Sequence, residues 1–305
     1  MKRLFFLIAL AISINGSTKG ADGVSDNKVR TVNVTAFHSL RTTSAVSILY
    51  TPQEGRPQVE IHAPEDAMPH IDVQVTPDSV LLVSIKPINN KKPNWKGKLE
   101  VHVKARPVHT FEASGAGDII LQGDLETRQP VHLVTHEAGD IIARTIRCKE
   151  LQIETASSGD VIVRNARCEE VSCLAHSAGG IIMKGLECTT LEMQSHSSGD
   201  IHIDHLSCEQ LNADTQSSGG IQLSGSCRQA QLKAAGSGDI YASRLKADTI
   251  EALASASGAI ECHPLHSLKA ETSSNGEIQY TGNPENINTL GEHIIARHSS
   301  SPVAP

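Results

Sequence analysis

Five cysteines recur at nearly constant spacing and carry the most reactive side chains that repeat in this sequence. Each lies eight or nine residues after a repeated glycine: Cys148, Cys168, Cys188, Cys208 and Cys227. The pattern favours a ladder of small, buried, hydrophobic side chains at one corner of a repeated fold. Disulfides between neighbouring repeats and thiolate metal binding are the alternatives. Because the chain has seven cysteines, an odd number, at least one thiol of a single chain stays unpaired.

Fifteen histidines offer a second kind of chemistry. His136, His176 and His196 each stand three residues before the repeated glycine. His176 and His196 belong to adjacent repeats, and neighbouring imidazoles can bind zinc or copper or titrate together at about pH 6. They are weak metal candidates, because the pattern favours a solvated surface column. We therefore expect no bound metal and no other cofactor.

Gly-Asp pairs recur as well, and Asp carboxylates are calcium ligands. The pairs are Gly117 with Asp118, Gly139 with Asp140, Gly159 with Asp160, Gly199 with Asp200, and Gly238 with Asp239. Calcium takes roughly six to eight oxygen ligands, yet only Asp118, Asp140 and Asp160 follow one another without interruption. We interpret the pairs as structural turns. Glycine would supply backbone angles that other residues resist, and Asp would accept hydrogen bonds from nearby backbone N–H groups.

The repeated glycines themselves set the period of the chain. They are Gly117, Gly139, Gly159, Gly179, Gly199, Gly219, Gly238, Gly258 and Gly276, here called the glycine column. Their steps are 22, 20, 20, 20, 20, 19, 20 and 18 residues. Apolar residues stand two and four positions after each glycine, six positions before it and, from the second copy onward, eight positions before it. Such alternation on both sides of a turn predicts two short strands per repeat, each with one buried face.

Neither strand can bury its apolar face alone, so successive repeats must stack. Stacking in register puts each apolar column into a ladder with about 4.8 Å between neighbours. The sequence therefore predicts an all-β fold, a parallel β-helix with nine rungs of about 20 residues. Parallel crossovers favour a right-handed path. A leucine-rich repeat is the main competitor at this period, but its LxxLxLxxN pattern is missing, and a calcium-binding solenoid would need a nine-residue unit.

The remaining segments give the expected domain organisation. Residues 1–20 have the basic start, short apolar run and small polar residues of a signal peptide, with cleavage between Gly16 and Ala21. Residues 28–110 alternate like strands and are expected to form an all-β lead-in that caps the solenoid. Residues 111–285 hold the repeats, and residues 286–305 are expected to form a C-terminal cap and a disordered tail.

Charge and composition exclude several classes of function. The chain has 27 Lys and Arg against 34 Asp and Glu, a formal net charge of −7, which argues against a nucleic-acid partner. No later apolar run is long enough to span a membrane after signal cleavage. We find no GxSxG, HExxH or phosphate-binding loop, and we expect no catalytic residue.

Three stretches of the sequence resemble a known family. Ser114–Ile119, Gly236–Ile240 and the motif Tyr280-Thr-Gly-Asn-Pro284, with the strands that open the lead-in, resemble the head GIN domain family of auto-transporter adhesins. The likeness covers residues 30–285. It implies a β-helical exported protein of the envelope of Gram-negative bacteria. The cysteines and histidines depart from that family's simple pattern.

The sequence thus favours an exported, non-enzymatic, adhesin-like protein that presents repetitive polar faces for binding at the cell envelope or surface. Its expected partner is a surface glycan or a protein, where many weak contacts give avidity. Its expected location is the periplasm, the outer-membrane surface or the extracellular space. The alternatives are a polysaccharide-processing β-helix enzyme, and a structural or stress-sensing protein of the periplasm.

Overall fold

The computed structural model describes residues 27–86 and 95–297. The predicted signal peptide and the end of the predicted tail lie outside these residues. The lead-in contributes β1 (Lys28–Val32), β2 (Ser39–Thr42), β3 (Ser47–Pro52), β4 (Gln58–Ala63), a 3₁₀ turn (Met68–His70), β5 (Ile71–Val75), β6 (Val80–Ile85), β7 (Glu100–Ala105) and β8 (Thr110–Ala113). No helix of the described ranges is long and apolar enough to cross a bilayer.

The repeats supply the next twelve strands. They are β9 (Ile119–Glu126), β10 (Val131–Thr135), β11 (Ile141–Arg147), β12 (Glu150–Thr155), β13 (Val161–Arg167), β14 (Glu170–Ala175), β15 (Ile181–Glu187), β16 (Thr190–Ser195), β17 (Ile201–Thr215), β18 (Ile221–Gly236), β19 (Ile240–Ala256) and β20 (Ala259–Thr272). The chain then forms β21 (Glu277–Tyr280), β22 (Asn286–Leu290) and β23 (Ile294–Ala296).

Successive repeats stack in parallel and in register. On one side β8, β10, β12, β14 and β16 pair in turn, and on the other side β9, β11, β13 and β15 do so. Both sides continue into β17 to β20, where a single strand covers the whole repeat. Ile153 lies opposite Cys173, for example, one repeat further along. The predicted parallel β-helix is confirmed as a β-solenoid of about nine turns, each of which we call a rung.

Aliphatic columns fill the inside of the solenoid, as the alternation predicted. The residues two positions after the glycine column are fully buried: Ile119, Ile141, Val161, Ile181, Ile201, Ile221, Ile240, Ile260 and Ile278. Burial of such a side chain contributes about 2 kcal/mol. Because no rung can bury its face alone, this stabilisation depends on the neighbouring rungs.

The structure adds an inward column that simple alternation did not predict. Ile146, Leu186, Leu206 and Leu245 are buried seven positions after the glycine column. Two outward residues, such as Arg144 and Thr145, precede each of them. The chain bends at this place, and the extra outward residue shifts the alternation by one. The Cys column follows two positions later and faces inward for the same reason.

The parallel stack begins within the lead-in rather than at residue 111. β2 and β3 form a rung beneath β8 and β9, and β6 and β7 lie beneath β2 and β3. The order of rungs therefore differs from the order of the chain. Beyond this rung, β4 and β5 run antiparallel to β7 and β6, and β1 runs antiparallel to β4. At the opposite end, β22 and β23 stack in parallel on β20 and β21.

Candidate functional site

The glycine column is held by close contact between rungs. A Cβ atom added to Gly139 or Gly159 would lie well within 3.0 Å of the carbonyl oxygen of the glycine one rung earlier. Neither glycine has a positive φ. The predicted reason, special backbone angles, is therefore wrong for these positions. The corner needs glycine because the main chains of successive rungs approach too closely for any side chain.

The Asp that follows the glycine bonds to the next rung. Oδ1 accepts a hydrogen bond from the main-chain N–H one rung further along in these pairs: Asp118 from Asp140 (3.0 Å), Asp140 from Asp160 (2.8 Å), Asp160 from Gly180 (2.7 Å), Asp200 from Gly220 (2.7 Å) and Asp239 from Ala259 (2.9 Å). The carboxylate thus completes the hydrogen bonding of a corner in which the strand ladder is interrupted. Each predicted turn residue lies at such a corner.

Three of these carboxylates lie in consecutive rungs and repel one another. Burial raises the pKa of Asp140, the N–H of Asp160 partly opposes this, and the charges of Asp160 and Asp118 add to the increase. Within the described residues, no group of three or more His, Cys, Asp or Glu side chains is arranged to hold a metal ion. The Asp side chains of this column therefore have a structural position, in which each carboxylate accepts a main-chain hydrogen bond from the next rung.

His176 and His196 stack face to face with ring centroids 5.4 Å apart and planes 14° from parallel. His176 Nε2 lies 3.8 Å from Glu154 Oε1, and His196 Nε2 lies 3.2 Å from Gln194 Oε1. His176 Nε2 therefore faces β12 of the previous rung, and His196 Nε2 faces β16, the strand that it follows. A shared metal would require both rings to leave this stack.

Two histidine stacks in the lead-in were missed from the sequence, and in one of them His38 and His109 have centroids 5.4 Å apart. His62 on β4 and His102 on β7 stack with centroids 3.9 Å apart. Each contacts a glutamate of its own strand, Glu60 at 3.2 Å and Glu100 at 3.1 Å. The signal in the sequence was the tripeptide Glu-x-His, which occurs once in each of the two antiparallel strands.

A polar groove with a volume of about 360 Å³ crosses β16 and the second halves of β17 to β20. Two outward columns line it. One holds Glu192, Asn212, Gln231, Glu251 and Lys269, and the other holds Gln194, Asp214, Lys233, Leu253 and Glu271. Register pairing repeats these side chains at the strand spacing of about 4.8 Å. The groove thus offers a linear series of amide and carboxylate groups.

The charges of the polar groove are only partly balanced. Lys233 Nζ lies 3.3 Å from Asp214 Oδ2, and Lys269 Nζ lies 3.7 Å from Glu251 Oε1. The other oxygen of Asp214, Oδ1, is buried and has no hydrogen-bond partner among the described residues. Because this oxygen is closed to solvent, a bound molecule cannot reach it, and the groups open to a ligand are the other carboxylate and amide oxygens of the two columns. The groove therefore favours a ligand rich in hydroxyl or amide donors.

The five cysteines form one continuous column of free thiols at a corner of the solenoid. Cys148 Sγ and Cys168 Sγ are 3.4 Å apart, and Cys148 Sγ also lies 3.1 Å from the carbonyl oxygen of Glu150. The hydrogen bond from Cys148 lowers the pKa of the Cys168 thiol against the effect of burial, and the same contact raises the pKa of Cys148. Further along, Cys208 contacts both Cys188 and Cys227. The column thus places the thiols of successive rungs in direct contact.

Comparison with known proteins agrees with the resemblance found in the repeats. A family described as "Putative auto-transporter adhesin, head GIN domain" matches residues 36–203 and 174–284. The crystal structure of a "putative adhesin" from Parabacteroides merdae is 16% identical, with a TM-score of 0.50, over 90% of this chain and 98% of that one. Another, from Parabacteroides distasonis, is 16% identical, with a TM-score of 0.54, over 88% and 96%.

At such low identity the two structures show a shared fold and nothing about a shared ligand. No curated protein matches the sequence. The family match, in contrast, extends over most of the stacked rungs, from β2 in the lead-in to the last repeat. The chain belongs to the head GIN domain family of adhesin-like proteins.

Proposed function

We propose that this protein is an exported, non-enzymatic adhesin that binds a surface glycan along the polar groove. The observation that carries the proposal is the pair of polar columns at rung spacing, whose carboxylate and amide groups line the groove. Sugar hydroxyls are donors that suit carboxylate and amide oxygens. A chain of sugars would make several weak contacts in succession, which is the way a repetitive surface gains avidity.

Export is supported by the signal-like residues 1–20 and by the adhesin description of the family. Fractionation and protease treatment of intact cells test this part of the proposal. Digestion of the protein on intact cells supports surface display. Recovery of intact protein from the cytoplasmic fraction alone contradicts export.

A matched pair of variants tests the binding surface. The mature protein is applied to an array of bacterial and host polysaccharides, and dissociation constants are measured for those that bind. Gln231→Ala, in the groove, is expected to weaken binding about tenfold, because an amide that bonds a ligand contributes roughly 1–2 kcal/mol. Gln222→Ala removes the same side chain from β18 on the other side of the rung and should change binding less than twofold.

Two results would contradict this proposal. Equal binding by the two variants would remove the groove from the binding surface. Shortening of a bound polysaccharide during incubation, measured by chromatography of the products, would favour the polysaccharide-processing enzyme instead.

A further inference from the structure

The two thiols of Cys148 and Cys168 lie at the floor of an open cleft. The cleft has a volume of about 710 Å³ and is formed where β9, β11 and β13 end. The sulfur atoms are 3.4 Å apart, too far for a disulfide and close enough that side-chain rotation would join them. Cys168 is buried and Cys148 is half-buried, and both line the cleft.

Positive side chains surround this pair of thiols. The cationic residues that line the cleft are Arg128, Arg147, Lys149 and Arg167. The guanidinium of Arg167 lies 3.2 Å from the carboxylate of Glu187. The guanidinium of Arg147 lies farther, 4.0 Å, from the carboxylate of Asp124. No acidic group lies within ion-pair distance of Arg128 or Lys149 in the described part of the chain. Asp124 and Glu187 pair with Arg147 and Arg167, and Glu126 and Glu169 also line the cleft, so the formal charges balance. Arg128 and Lys149 are the two lining cations left to meet the carboxylates of a ligand and to stabilise a thiolate.

We propose that Cys148 and Cys168 form a redox-active dithiol that closes to a disulfide between two rungs by exchange with a small anionic disulfide bound in this cleft. The inference concerns a different corner of the solenoid from the polar groove. It therefore stands or fails independently of glycan binding.

The exchange has two steps, and atoms and electrons balance in each of them. The Cys168 thiolate attacks one sulfur of the small disulfide and forms a mixed disulfide, and the first small thiolate leaves. Cys148 then loses its proton to the departing thiolate and attacks Cys168 Sγ, which releases the second small thiolate. Two protein thiols are oxidised to one disulfide, and one small disulfide is reduced to two thiols.

The stacked geometry makes such a disulfide easy to reduce again. Strands in register keep neighbouring Cα atoms about 4.8 Å apart, which lies within the disulfide range. Their Cβ atoms stay farther apart than the preferred ~3.8 Å, so the bond would be strained. Strained disulfides have higher reduction potentials and are the labile, exchangeable kind. The site would alternate between the dithiol and the disulfide, and the disulfide would not serve to hold the fold together.

The same cysteine column contains a matched control. Cys208 and Cys227 lie opposite each other in the register of β17 and β18 and are also in contact. Beside this second pair, however, Asp248 is close enough to act on Cys227, and Arg228 is already bound by Glu209 at 3.5 Å. Thiol contact is therefore similar at the two sites, whereas the cation beside the second pair is neutralised by a carboxylate.

The experiment measures which thiols react with disulfides of different charge. Reduced mature protein is incubated with oxidised glutathione, whose carboxylates outnumber its amines, or with cystamine, which is cationic. Alkylation and peptide mass spectrometry follow the Cys148–Cys168 bond with time. The same reactions of the chain unfolded in urea give the intrinsic difference between the two reagents.

After that correction, we expect oxidised glutathione to close the Cys148–Cys168 pair at least about threefold faster than cystamine, because Arg128 and Lys149 attract its carboxylates and repel the amines of cystamine. The Cys208–Cys227 pair should show no such preference. The double variant Arg128→Glu, Lys149→Glu should lose the preference while retaining its circular dichroism spectrum, since both side chains are exposed. Cys148→Ser should accumulate the mixed disulfide on Cys168.

Three outcomes would overturn the inference. The first is that Cys148 and Cys168 remain alkylatable after prolonged incubation with oxidised glutathione. The second is an equal corrected rate with cystamine. The third is an unchanged preference in the double charge variant, which would show that the cations do not recruit the reagent.

Discussion

The carboxylate of Asp160 accepts a 2.7 Å hydrogen bond from the main-chain N–H of Gly180, one rung further along. The Asp of one rung therefore serves the corner of the next. A gap in the Asp column therefore acts on the following rung, because Gly180 receives an acceptor from Asp160 but offers no carboxylate to the N–H of Asp200. The glycine column has no gap, since each of its members contacts the main chain of the previous rung.

Asp140→Asn is expected to stabilise the protein at neutral pH. Burial and the neighbouring carboxylates raise the pKa of Asp140, so the folded chain binds its proton more tightly than the unfolded chain. Stability is therefore lost as pH rises from the ordinary value of 3.8 through the raised pKa. Asn retains an acceptor for the N–H of Asp160 and carries no charge. We expect a gain of about 0.5–1 kcal/mol and about 2 °C in the melting temperature at pH 7.

Asp200→Asn is the control for this change. Its Oδ1 makes the same bond to the next rung, with Gly220 at 2.7 Å, but Gly180 and Gly220 stand where its column neighbours would be. Without stacked carboxylates the melting temperature should stay constant. The gain for Asp140→Asn should also vanish below pH 3.8. Equal gains at pH 3 and pH 7 would contradict the electrostatic explanation.

Gly159→Ala is expected to destabilise the solenoid strongly, whereas Gly180→Ala is not. The added methyl group at residue 159 would collide with the main-chain carbonyl oxygen of Gly139. At residue 180 the nearest atom, the carbonyl oxygen of Asp200, lies 3.3 Å away. We expect a loss of about 3 kcal/mol for the first variant and less than about 1 kcal/mol for the second in urea unfolding. Similar losses would show that rungs separate easily at this corner.

The glycine spacing and the alternation predicted the fold because both follow from stacking. Residues such as Ile141 and Ile153 recur at fixed distances from the corner, and an in-register solenoid is the arrangement that buries all of them. The seven-position column was missed because the bend at Arg144 and Thr145 adds one outward residue. The chemical cause of the glycine column was also missed, because contact between main chains of different rungs leaves no trace in the spacing.

The candidate sites were harder to predict than the fold. The contact of Cys148 with Cys168 followed from the column, but the four cations around it come from two strand ends and two loops whose meeting depends on the bend. The polar groove is likewise formed by ordinary outward residues such as Asn212 and Gln231. These polar residues alternate with apolar residues along the strands, as they do on any solvent-exposed face of a sheet. The groove becomes visible only when the register of β16 to β20 places these side chains side by side as two columns.

Calcium is expected to leave the melting temperature unchanged. In the Asp column, Oδ1 of Asp118, Asp140 and Asp160 already accepts a main-chain hydrogen bond. A calcium ion would have to replace these bonds and gather roughly six to eight oxygens at a corner that offers few. Thermal unfolding is compared in excess calcium and in excess chelator. An increase of more than about 3 °C with calcium would mean that the column binds the ion, since ligand binding stabilises the folded state by mass action.

Thr155→Val is expected to weaken the corner from the inside. The hydroxyl of Thr155 is buried and donates a 3.0 Å hydrogen bond to the carbonyl oxygen of Gly179 in the next rung. Thr135 and Thr215 make the same contact in their own positions, at 2.9 Å and 3.2 Å. Valine has the shape of threonine but leaves the carbonyl oxygen unpaired, which costs about 1–3 kcal/mol. Thr155→Ser keeps the donor and should lose less than half of that in urea unfolding. If valine and serine are equally tolerated, the hydroxyl column contributes volume alone, and the corner is held by glycine contacts and the Asp column.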